Sequence, residues 1–157
     1  MTNPRYFFRM SIEYDFMPWQ DSERLVLHED SEQVSQVQVF DLEERTARFG
    51  ESVIEFCKAV PLGPRTNRLV DQLTGSGTSV GANYCEADDA ISKKEFAHLI
   101  GTCRKEARET LFFIRMIAKA CPELRGQARQ LWCEAHELHL IFAKIRRTTL
   151  QNLAKQP

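Results

Sequence analysis

The chain has 157 residues, 43% hydrophobic and 27% charged, with a formal net charge of −1, which is enough for one domain with its own core. Seven glycines and six prolines are few for an all-β chain, and no apolar run approaches the roughly 20 residues of a membrane span. Five cysteines, odd in number, widely spaced and without a Cys-x-x-Cys pair, argue against a disulfide framework or a zinc site and predict free thiols in a reducing cytoplasm.

The charge is unevenly spread. Residues 1–40 hold three Arg and seven Asp/Glu, whereas residues 41–157 hold eighteen Lys/Arg and fifteen Asp/Glu. Residues 1–38 lack helical periodicity, and Asp21 to Gln38 is polar and acidic. This composition predicts a disordered extension over 1–38, in which Tyr14, Phe16 and Trp19 could form a docking patch. The plainer alternatives are an unstructured extension and a true start at Met10 or Met17. The opening segment lacks the apolar stretch and cleavage site of a signal peptide.

From Phe40 the pattern becomes helical. Asp41 and Glu44 have the spacing of a capping box, and Leu42, Thr46, Phe49, Val53, Phe56 and Val60 form one stripe at steps of three and four. Pro61-Leu62-Gly63-Pro64 ends this first helix, with Pro64 suited to the first turn of the next. The second helix carries Leu69, Leu73, Val80, Tyr84 and Ala87 on one face. Its middle, Gly75 to Asn83, is rich in small residues, which weaken a helix but admit a closely packed neighbour. Ser92 and Glu95 form a second capping box ahead of a third helix with the stripe Phe96, Ile100, Cys103, Ala107, Leu111, Ile114 and Ala118. Pro122 restarts the chain into a fourth helix bearing Leu124, Ala128, Leu131, Ala135, Leu138, Phe142, Ile145 and Thr149. Short connections between four such helices predict an all-α, antiparallel up-down-up-down four-helix bundle over 39–157.

Chemical motifs do not accumulate. Gly75-Ser76-Gly77-Thr78-Ser79-Val80-Gly81 lacks the Gly-Lys-Ser/Thr ending and the preceding strand of a phosphate loop. Glu95-Phe96-Ala97-His98 is a lone Glu-x-x-His, whereas a di-iron bundle needs two. Cys133, His136 and His139 step by three, so the ends of the triplet diverge by roughly 120° on a helix. No nucleophile elbow is present. The expectation is therefore a protein without catalytic residues, metal or cofactor.

Surface stripes carry the remaining signal. Arg125, Arg129, Trp132, His136 and Arg147 fall within a sector roughly 60° wide beside the core stripe of the fourth helix. Arg104, Arg108, Arg115 and Lys119 form a basic flank on the third. These read either as solvated flanks whose stems cover core edges or as a face for RNA or DNA, with Trp132 stacking or packing. Phe112, Phe113 and Met116 lie far from the core stripe of the third helix, where large apolar residues mark an interface. With Trp132 they predict a homo-oligomer.

Three blocks carry a resemblance: Phe40-Asp41-Leu42-Glu43, Ser79-Val80-Gly81-Ala82-Asn83-Tyr84-Cys85-Glu86-Ala87, and Ser92-Lys93-Lys94-Glu95-Phe96. They resemble the signature blocks of the bacterial family of 23S rRNA intervening-sequence proteins, which includes the accessory variability determinant of diversity-generating retroelements. The likeness runs from about Val39 to about Ala120 and continues in pattern to the C-terminus. It implies an up-down bundle assembling into a ring, commonly a pentamer, without enzymatic activity. In the retroelement branch it implies a reverse transcriptase and nucleic acid as partners. The family's Ala-Asn-x-x-Glu block falls on Ala82, Asn83 and Glu86, where Asn83 and Glu86 are expected to make inter-helix hydrogen bonds. The near-neutral net charge departs from the strongly basic members and counts against RNA binding.

Overall fold

The computed structural model describes residues 41–155. Within them lie four helices: α1 (Leu42–Ala59), α2 (Asn67–Asp88), α3 (Lys93–Ala120) and α4 (Arg125–Ala154). They pack in chain order, α1 on α2, α2 on α3 and α3 on α4, while α1 and α4 meet through far fewer residues. The predicted bundle is thus present. The extension predicted over 1–38 lies outside the described residues.

Local signals explain where the helices begin and end. The Asp41 carboxylate accepts the Glu44 amide at 3.0 Å, and the Ser92 hydroxyl accepts the Glu95 amide at 3.1 Å. Both satisfy first-turn donors that the helix itself cannot. Glu95 also reaches back to accept the Ile91 amide at 3.1 Å, so its place in the sequence is explained by capping. Pro122 opens a short 3₁₀ turn, Pro122–Leu124, that leads into α4. One boundary differs from expectation: Pro64 sits in the connecting turn, and α2 starts only at Asn67. That turn is held from within, since the Thr66 hydroxyl donates to the Pro61 carbonyl at 2.6 Å and the Asn67 side chain accepts the Gly63 amide at 2.8 Å.

The small-residue middle of α2 is helical because α1 lies against it. A Cβ at Gly77 would stand 2.7 Å from both methyls of Val53, and one at Gly81 would stand 3.3 Å from the Thr46 carbonyl oxygen. The loss of helix propensity at these positions is offset by backbone approach that no larger residue permits. Phe49, Val53, Leu73, Val80, Ile100, Ile114, Leu138 and Phe142 fill the core. The buried Ser76 and Thr110 hydroxyls pair across α2 and α3 at 3.2 Å, as buried polar groups require. Among the described residues, the inter-helix hydrogen bonds expected of Asn83 and Glu86 are not made: Asn83 donates to the Ser79 carbonyl of its own helix at 2.8 Å, and Glu86 is exposed. Both residues lie toward the end of α2, past the buried middle where small hydroxyls face each other.

Candidate nucleic-acid interface

The two basic flanks predicted from sequence meet along the seam between α3 and α4. At one end of the seam, Arg104 of α3 and Arg147 of α4 line a shallow cleft of about 500 Å³ together with Arg146, Leu150 and Gln151. Two features hold these cations in place. His139 contacts the Arg104 carbonyl through Nδ1 at 3.1 Å, and because a carbonyl only accepts, Nδ1 carries the proton. The Arg146 guanidinium crosses α3 over Gly101, where a Cβ would stand 2.9 Å from its Nε. Three guanidinium groups beside an apolar floor suit an anion presented along an extended backbone.

The other predicted cations separate into two groups. Arg115 and Lys119 lie in the last turns of α3, and Arg125 and Arg129 in the first turns of α4, away from the Arg104–Arg147 cleft along the chain. Arg108 lies outside the seam. It shares the outer face of α3 with Lys105, Glu109, Phe112 and Phe113 around a second shallow cleft of about 420 Å³. There the two phenyl rings meet edge to face at 5.2 Å. Phe112 is 55% exposed, whereas Phe113 and Met116 are half-buried. On α4, Trp132 is half-buried and stacks on His136, with ring centroids 5.1 Å apart and planes 9° from parallel.

Arg146 was not among the residues that the sequence pattern brought forward. On a helical wheel it lies nearer the core stripe than Arg147, a position usually read as a core edge. The usable signal is on the other helix: Gly101 stands mid-helix with neither a cap nor a turn to explain it.

The cysteines are all unpaired, with Cys57, Cys103 and Cys121 buried and Cys85 and Cys133 exposed. Burial pushes the Cys103 thiol up to about 12, so it stays protonated and packs as a small apolar side chain. Among the described residues, no three His, Cys, Asp or Glu side chains gather as metal ligands would. Among the same residues, no helix is long and apolar enough to cross a membrane.

No protein-family model matches the sequence, and no curated protein matches it. Among solved structures, a protein with unknown function from the S23 ribosomal protein family of Bacteroides thetaiotaomicron VPI-5482 is similar, with a TM-score of 0.62. The chain has the fold of that protein. The match covers 67% of this chain and 97% of the other, at 23% identity. The S23 family name covers the 23S rRNA intervening-sequence proteins, so the fold implied by the sequence blocks is the fold observed.

Proposed function

We propose that the chain is an S23-type helical bundle that works by binding rather than by catalysis, as an accessory factor in an RNA or nucleoprotein setting. In this reading it assembles with copies of itself, as a pentameric ring in the form that the resemblance implies. The observation that carries the nucleic-acid part is the convergence of Arg104, Arg146 and Arg147 on one cleft of the α3/α4 seam. Guanidinium groups favour phosphate through paired N–H donors, and a seam extending along two long helices offers contacts in series.

The test is fluorescence anisotropy of labelled single-stranded and duplex RNA against salt. Binding is expected at low salt, with log affinity falling as log salt rises. The double substitution Arg104→Gln, Arg147→Gln should weaken binding to all sequences alike and make the salt slope shallower by about one for each phosphate no longer engaged. Absence of binding at low salt would leave the second reading, a protein-interaction scaffold without a nucleic-acid role. The exposed Phe112 favours that reading, because exposed aromatic rings are enriched at protein–protein interfaces.

A further inference from the structure

The weak meeting of α1 and α4 leaves a groove of about 530 Å³ lined by residues of those two helices. Its floor is apolar, formed by Phe56 and Leu131. Its rims are acidic: Glu51 and Glu55 come from α1 and Glu134 from α4. Glu55 pairs with Lys58 and Glu134 with Arg45, whereas Glu51 has no ion-pair partner among the described residues. The outer face of α3 is its complement. Phe112 projects there as an exposed ring, braced by Phe113, with Lys105 and Arg108 beside it; Glu109 lies in the same patch, and Glu106 is near enough to feel both Lys105 and Glu109. Neither Lys105 nor Arg108 has an ion-pair partner among the described residues.

We infer that the α1/α4 groove receives the Phe112 face of α3 from a second copy of the chain. This rests on the self-assembly reading above and gives it a contact. An exposed aromatic meets an apolar floor, and two cations outside any ion pair among the described residues meet an acidic rim whose Glu51 is likewise outside any ion pair. Electrostatic complementarity of this kind fixes partner and register more than it sets affinity. An RNA occupant would meet the same carboxylates as repulsion, so charge selects a cationic protein surface, and this chain carries one. With groove and patch engaged by different neighbours, the contact is heterologous. Each copy offers one surface and accepts on the other, and the chain of contacts repeats until it closes into a ring. Arg108 then serves assembly rather than the basic seam.

A heterologous contact makes a sharp demand on mixtures. The full chain is prepared as a groove variant, Glu51→Arg with Glu55→Arg, and as a patch variant, Arg108→Ser with Phe112→Ser, which removes the patch without making it complementary to the reversed groove. All four positions are exposed. Light scattering after size exclusion should give an oligomer for the wild type and the mass of one chain for each variant, with helical circular dichroism unchanged. Mixed in equal amounts, the two variants should form a species of two chains and no larger, since each retains one working surface. The milder Glu51→Gln and Arg108→Gln remove charge without adding bulk, and each should shift assembly to higher protein concentration. A wild type that stays a single chain at every concentration would sink both this contact and the assembly reading. An oligomer unchanged in both variants would overturn the contact alone, leaving assembly to run through another surface. Variants that fall apart but do not pair on mixing would overturn it as well.

Discussion

The two flanks of α4 share one helix and one core stripe, yet they have become different surfaces. Toward α3, α4 presents Arg146 and Arg147, with His139 bonded to the backbone of the neighbouring helix. Toward α1 it presents Gln127, Gln130 and Glu134, and the two helices stand apart. Connectivity explains part of the contrast. A short turn, Pro122–Leu124, joins α3 to α4 and enforces a close hairpin, whereas no direct connection ties α1 to α4. Packing explains the rest. Gly77 and Gly81 draw α1 into contact with the backbone of α2, and a helix held that closely on one side opens a gap on the other. Charge then follows packing: cations gather where the seam is tight and their stems can lie on apolar surface, and carboxylates rim the open groove.

The largest effect that probes this contrast comes from making the same substitution on both sides of it. Leu138 is fully buried, whereas Leu131 is 7% exposed and forms the groove floor. Leu138→Ala should leave a closed cavity and lower stability by about 3–5 kcal/mol. Leu131→Ala only deepens a groove that solvent already enters, so its loss should lie near the low end of the range, about 2 kcal/mol. Urea unfolding of both variants measures the difference. Equal losses would mean that the α1/α4 side is packed as closely as the rest.

A smaller effect should come with opposite signs from two glycines of α2 only two residues apart. Gly77→Ala drives a methyl into Val53, whose branched side chain cannot turn away, and overpacking of this kind costs about 1–3 kcal/mol. The better helix propensity of alanine returns about 1 kcal/mol of that. At Gly75 nothing lies within 4 Å of the added methyl, so Gly75→Ala should stabilise by about 1 kcal/mol. Thermal melts of the two variants should move in opposite directions. If Gly77→Ala also stabilises, the close approach of α1 to α2 is not what holds α1 in place.

The bundle was legible in the sequence because its signals are local. Asp41 and Ser92 cap where their spacing to Glu44 and Glu95 requires, and the stripes from Phe49 to Val60 and from Ala128 to Phe142 turn inward as their period dictates. The start of α2 was less legible, since Pro64 fits a first helical turn as well as the turn before it. The seam was half legible. A wheel drawn on one helix identifies a basic flank, but it cannot pair Arg104 with Arg146 and Arg147, because that pairing depends on the register of two separate helices. The groove was not legible at all. It exists because α1 leans on α2, and nothing in the sequence of α4 records the distance at which α1 passes.

The smallest predicted effect concerns the ion pairs that, among the described residues, tie α1 to α4 on the open side. Arg45 of α1 donates from Nε and Nη2 to the two carboxylate oxygens of Glu134 at 2.7 and 3.0 Å, and from Nη2 to Glu137 at 2.6 Å. The Glu134 bond holds the guanidinium protonated above its usual range, against the opposing effect of burial. Paired donors in a planar fork make this the strongest geometry an ion pair can take. Its surroundings are nevertheless half open: the Arg45 side chain is 24% exposed, Glu134 36% and Glu137 63%. Solvent screening should therefore hold the Arg45–Glu134 coupling to about 1 kcal/mol or less, and the Arg45–Glu137 coupling below that. A double-mutant cycle with Arg45→Met and Glu134→Gln measures it, the methionine keeping a long apolar stem in place of the arginine's. Raising the salt to about 1 M, where screening acts within roughly 3 Å, should reduce the coupling further. A coupling that salt leaves untouched, and that exceeds the cost of truncating Leu131, would mean that charge rather than packing fixes α1 beside α4. The groove would then be a clamped seam and not an opening available to a partner.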